Sequence, residues 1–77
     1  MRELEKMKQY DSLDLEYFQE VIRIIDKQYL GDAEELFLQS SFLELFDQDT
    51  SFVYHYHPSY WADFVLNQWK NQQSQHV

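Results

Sequence analysis

The chain has one glycine, Gly31, and one proline, Pro58, in 77 residues. Glycine and proline are the residues that most readily make tight turns. A fold of many short strands would need more of both, so the sequence calls for a few long regular elements. Hydrophobic spacing says which kind. Leu15, Phe18, Val21, Ile22, Ile25 and Tyr29 recur at steps of three and four, one face of a helix. Asp11 and Ser12 offer capping oxygens in front of them, and Asp14 and Glu16 place acid at the positive end of the helix dipole. A first helix is expected over about residues 12–30, with Gly31 as a left-handed stop.

Asp32-Ala33-Glu34-Glu35 is a capping-box variant, with Asp at the cap and Glu three residues on. Behind it run two apolar stripes, Leu36, Phe37, Leu43 and Phe46, then Leu38, Phe42 and Leu45. A single second helix over about 32–47 is expected, either deeply buried or with an apolar strip exposed. Phe52, Tyr54 and Tyr56 alternate with Val53, His55 and His57 at strand period. A lone strand has no sheet to join, so residues 50–57 read as an extended loop or a short helix. Pro58 and Ser59 open a last helix, with Ala62, Val65, Leu66 and Trp69 as its buried stripe and Trp61 and Phe64 beside it. Residues 1–10 read as a frayed arm and 71–77 as a disordered polar tail. The expected fold is all-α, a single domain forming a three- to four-helix bundle.

Charge narrows the function. Six bases face fourteen acids, a net charge of −8. That balance repels nucleic acid phosphate and attracts cationic proteins. No Lys or Arg lies between Lys27 and Lys70, a window of 42 residues holding seven acids and eleven of the fourteen aromatics. Acid without neighbouring base, interleaved with Tyr, Phe and Trp, points to a surface that meets a basic protein. The residues expected to form it are Asp32, Glu34, Glu35, Asp47 and Asp49 with Tyr54, Tyr56, Tyr60 and Trp61. Helix capping already accounts for part of that acid. Core packing competes for the aromatics, although Tyr and Trp also anchor interfaces.

Chemistry of other kinds finds little footing. The chain has no Cys, which removes thiolate nucleophiles, thiolate zinc sites and disulfides and fits a reducing cytoplasm. No Gly-rich phosphate loop or nucleophile elbow is present. His55 and His57 have the spacing of metal ligands on a strand but lack matching partners, so they read as packing or surface groups. No enzyme activity, cofactor or metal is expected. No apolar run approaches the roughly 18 residues of a membrane span, and the segment from Met1 to Lys6 lacks the apolar core of a secretory leader.

The order of these features resembles the small acidic helical immunity proteins that neutralise DNase-type colicins and pyocins. The matching stretches are Tyr17-Phe18-x-x-Val21-x-x-Ile24, Asp32-Ala33-Glu34-Glu35-Leu36, Tyr54-His55-Tyr56-His57-Pro58 and Val65-Leu66-Asn67-Gln68-Trp69-Lys70. Together they span about residues 10–70. The resemblance implies a distorted four-helix bundle whose acidic second helix selects a toxin and whose Tyr-rich third segment supplies shared affinity. This chain departs from that pattern in three ways. His55 splits the paired tyrosines, the loop after Pro58 is absent, and Asp49 is the nearest match to the acid that precedes them. A shorter stretch, His57 to Leu66, is similar to the closing segment of CHAT-type caspase-like proteases, but a chain without Cys has no nucleophile for that chemistry.

The leading expectation is an immunity-type inhibitor of a basic nuclease or other nucleic-acid-handling enzyme. The alternatives are a phage-encoded anti-defence protein masking a host nucleic-acid-binding surface, and a homo-oligomeric structural or adaptor module, favoured by the two apolar stripes of the second helix.

Overall fold

The computed structural model describes residues 10–74. The arm expected over residues 1–10 lies outside them except for Tyr10, as do residues 75–77 of the expected tail. Within them the chain is all-α, with helices α1 (Ser12–Gln28), α2 (Ala33–Gln39), α3 (Phe42–Gln48), α4 (Thr50–Tyr54) and α5 (Pro58–Ser74). The two long helices, α1 and α5, pack on each other. The pair α2–α3 closes one side, with α2 against both long helices and α4 against α3.

Helix α1 begins where the sequence placed it. The Asp11 carboxylate accepts from the Asp14 N–H at 2.9 Å, satisfying one of the first-turn donors that have no partner within the helix. Its end differs from expectation. No glycine among the described residues has a positive φ, so Gly31 is not a left-handed stop. The helix ends at Gln28 with Tyr29 extended, and the Tyr29 ring turns to meet Trp69 edge-on at 5.0 Å. A Cβ on residue 31 would lie 2.8 Å from Tyr29 Cε2. Glycine lets the Tyr29 ring lie close over the backbone here, and a larger residue would push the ring aside.

The single helix expected over 32–47 is two helices. At Ser40 the backbone leaves the helical region, at ψ 172°, and the Ser40 hydroxyl donates to the Phe37 carbonyl at 2.6 Å. The Gln68 side chain, 27 residues away on α5, accepts from the Ser41 N–H at 3.1 Å. A local serine bond and a distant amide together replace the backbone bonds that a continuous helix would have made. The break also resolves the two apolar stripes, which one straight helix could not aim at one core. Leu36, Phe37, Leu38, Phe42, Leu43 and Phe46 are all buried. The second stripe, which motivated the homo-oligomer reading, is largely spent inside the chain.

Residues 50–54 are helical rather than extended. Asp49 caps α4 by accepting from the Phe52 N–H at 3.1 Å, and the Thr50 hydroxyl donates to the Phe46 carbonyl at 2.8 Å. The apparent strand alternation reflects burial of Val53 alone, with Phe52 and Tyr54 exposed. Pro58 begins α5 as expected, and the Ser59 N–H is capped by His57 Nδ1 at 3.0 Å. The last helix runs on to Ser74, so residues 71–74 are helical where an irregular tail was expected. Adding residues to a formed helix needs no new nucleus, and Gln is a good helix former. No helix of the described residues is long and apolar enough to cross a membrane.

Candidate protein-docking surface

The expected surface residues do not form one patch. Asp32 caps α2 by accepting from the Glu35 N–H at 3.2 Å. Glu34 is exposed beside it, and the Glu35 carboxylate accepts from Gln39 Nε2 at 3.4 Å. All three lie just beyond the C-terminal end of α1. The Tyr54 hydroxyl donates to Asp14 at 2.5 Å, at the N-terminal end of that helix. A 17-residue helix is about 25 Å long at ~1.5 Å per residue. The acidic start of α2 and Tyr54 therefore sit at opposite ends of the bundle. Asp47 and Asp49 lie nearer the Tyr54 end, where Asp47 accepts from the Tyr10 hydroxyl at 3.0 Å.

The aromatic cluster also divides. Trp61 is 2% exposed, and its Nε1–H donates to the Val53 carbonyl at 3.0 Å. It is core, so the expectation that it anchors a partner is corrected. An indole is buried at modest cost once its single donor is paired, and Val53 provides that pairing. Tyr54 and Tyr60 remain 40% and 47% exposed. Tyr56 is half-buried and stacks on Tyr60, with ring centroids 4.4 Å apart. Phe52, which the sequence reading did not single out, continues this exposed row, its ring edge-on to Tyr56 at 5.3 Å. The histidines have local partners. His57 caps α5, and His55 packs against the Tyr56 ring at 5.1 Å. Among the described residues, no group of three His, Cys, Asp or Glu side chains stands close enough together to hold a metal.

A groove that the sequence reading missed lies between the first half of α1 and the corner joining α4 to α5. Its volume is about 550 Å³. Leu13, Tyr17, Tyr54 and Pro58 form its apolar lining, and Asp11, Asp14, Glu16 and Glu20 surround them. The Tyr17 hydroxyl is committed inward, donating to the carbonyls of Tyr56 at 2.7 Å and Val53 at 3.1 Å. The Tyr54 hydroxyl is committed to Asp14. Carbon rather than hydroxyl therefore lines the groove. One signal was available in the sequence. Leu13, Glu16, Tyr17 and Glu20 follow the i, i+3, i+4, i+7 pattern of one helix face. Arg23, three residues beyond Glu20, pairs with it.

These contacts perturb the two tyrosines. Burial raises the pKa of Tyr17 above the ordinary phenol value. That of Tyr54 is raised by burial first, then by its hydrogen bond to Asp14 and the negative charges of Asp14 and Asp11. A raised folded-state pKa means that the neutral phenol is favoured in the native state. The stability it contributes is complete below the unfolded value of about 10 and is lost as pH rises toward the folded one. Urea midpoints are expected to hold steady up to about pH 9 and fall above about pH 10. The fall should be shallower in Tyr54→Phe. An equal slope in that variant would mean that Tyr54 ionises as an unperturbed phenol.

Comparisons with protein-family models, with curated proteins and with solved structures each returned no match.

Proposed function

We propose that this protein is a binding inhibitor that acts in the cytoplasm on a basic protein of the nuclease or nucleic-acid-handling class, in the manner of an immunity protein, and is not an enzyme. One observation carries the reading. Residues 10–74 contain twelve acids and three bases, and every one of those acids is exposed or half-buried. At least nine carboxylates therefore have no base within this stretch to neutralise them. Asp11, Asp32 and Asp49 serve the fold as helix caps, but the excess as a whole costs stability, because like charges on one small surface repel. A cationic partner would turn that repulsion into attraction. Its Lys and Arg would meet carboxylates in place of phosphates, while the exposed aromatic rings bury apolar area at the contact. The order of motifs shared with the DNase-colicin immunity family points the same way.

Affinity capture by the full chain from its native host tests this reading. At about 0.1 M salt it should retain a protein of basic pI that handles nucleic acid, and raising salt to about 0.5 M should release it as charge attraction is screened. Adding the chain back should inhibit that protein's activity. Retention of a neutral or acidic partner, or a complex unchanged at about 0.5 M salt, would overturn the proposal.

A further inference from the structure

We infer that the groove between α1 and the α4–α5 corner seats arginine side chains of the partner. This inference rests on the inhibitor reading and gives it a location.

The groove is first an apolar feature. Leu13 is 72% exposed although it lies in the first turn of an amphipathic helix, where a polar residue would cost the fold nothing. Beside it, Tyr17 and Tyr54 stand with ring centroids 4.8 Å apart. Their hydroxyl protons are already given to Val53, Tyr56 and Asp14, so an occupant meets ring and hydrocarbon, and the phenol oxygens can only accept, which suits a donor.

The surrounding charge specifies what that occupant is. Carboxylates of Asp11, Asp14, Glu16 and Glu20 border the groove, and among the described residues no Lys or Arg lines it. Glu16 and Glu20 are four residues apart on α1, a spacing at which like charges destabilise a helix. Arg23 already pairs with Glu20, so a bound cation would act chiefly on Glu16 and on the acids at the start of α1. A purely apolar occupant would instead desolvate carboxylates without pairing them. The required ligand therefore has an apolar body and a cationic head, which describes both lysine and arginine. Arginine fits better. Its planar guanidinium can lie on a tyrosine ring while its fork pairs with a carboxylate, whereas lysine offers a compact, strongly hydrated point charge.

The test is titration of the ¹⁵N-labelled full chain with an acetylated tetra-arginine peptide, followed by amide chemical shifts and compared with tetra-lysine. Shifts are expected at Leu13, Glu16, Tyr17 and Tyr54, with tetra-lysine several-fold weaker. Leu13→Ser and Glu16→Gln, both at exposed positions, should each weaken binding by about tenfold with helical circular dichroism unchanged. Asp26→Asn, at an exposed position in the last turn of α1, should leave binding as it is. Shifts centred on Glu34 and Glu35, shifts spread evenly over all acids, or equal affinity for the two peptides would each overturn the inference. Two rival occupants would show themselves in the same experiment. If the chain's own segment fills the groove, Arg2→Ala/Lys6→Ala/Lys8→Ala would bind the peptide more tightly than the unaltered chain. If a second copy fills it, the groove resonances would move with protein concentration.

The groove and the inhibitor reading fail separately. A basic, salt-sensitive partner that leaves the Leu13 and Glu16 resonances unmoved would sink the groove alone. An acidic captured partner would sink the inhibitor reading whatever the peptide does.

Discussion

Trp61→Ala is expected to lose about 4–6 kcal/mol of stability and to unfold at a much lower urea concentration than the unaltered chain. Trp61 is 2% exposed, and its ring lies against Phe42 at 5.5 Å and Phe64 at 5.4 Å. It ties α5 to α4 through the Val53 carbonyl. Truncating a buried Trp costs about 3–5 kcal/mol, and the lost hydrogen bond adds about 1 kcal/mol. A domain of this length is stable by only ~4–12 kcal/mol. Trp61→Phe should cost much less, about 1–2 kcal/mol, because most of the ring volume stays and the Val53 carbonyl still accepts from the Tyr17 hydroxyl. That shared acceptor makes a sharper test. Tyr17→Phe combined with Trp61→Phe removes both side-chain donors from the Val53 carbonyl and leaves it the Tyr56 N–H at 3.2 Å, so the double variant should lose more than the two single losses together. Urea unfolding followed by far-ultraviolet circular dichroism measures all four. A Trp61→Ala midpoint near that of the unaltered chain would mean the indole is not structural, and additive losses would mean the two donors act independently.

Phe18→Ala comes next in size and acts elsewhere. Phe18 is fully buried and is surrounded by rings from the α2–α3 pair. Its ring lies 4.9 Å from Phe46, 5.6 Å from Phe42 and 5.7 Å from Phe37, and Tyr10 meets it edge-on at 5.0 Å. Removing it costs about 3–5 kcal/mol, the lost ring contacts included. Stiff rings collapse poorly into a void, so the loss should fall at the upper end of that range. Phe18→Leu should lose about 1–1.5 kcal/mol. The α2–α3 pair is expected to loosen first, seen as loss of near-ultraviolet dichroism at urea concentrations where far-ultraviolet signal persists. A Phe18→Ala loss below about 1 kcal/mol would show that the neighbouring rings close the gap.

The two large variants sit on opposite sides of what could be read beforehand. Phe18 belongs to the α1 stripe, and its burial follows from spacing alone. Trp61 and Trp69 both lie on the apolar side of α5, and spacing favoured Trp69 as the buried one. Packing reverses the order, because Val53 offers the Trp61 indole an acceptor while Trp69 is half-buried beside Tyr29. The break at Ser40 was equally hidden. It uses neither Gly nor Pro, and part of what holds it is Gln68, 27 residues away. The candidate site follows the same division. Excess acid and abundant aromatic residues are plain in the composition, but the groove depends on a hydrogen bond between residues 40 apart, Tyr54 and Asp14.

By itself the sequence determined the helical class, the starts of α1, α2 and α5, and the uncompensated negative charge. Each rests on neighbours within a turn or on a simple count, because caps, dipoles and periodicity act over three or four residues. Only the tertiary structure decided which rings became core, where the second helix broke, and which acids share a surface with exposed aromatics. Those outcomes depend on side chains that meet across the bundle, and a one-dimensional pattern does not contain that distance.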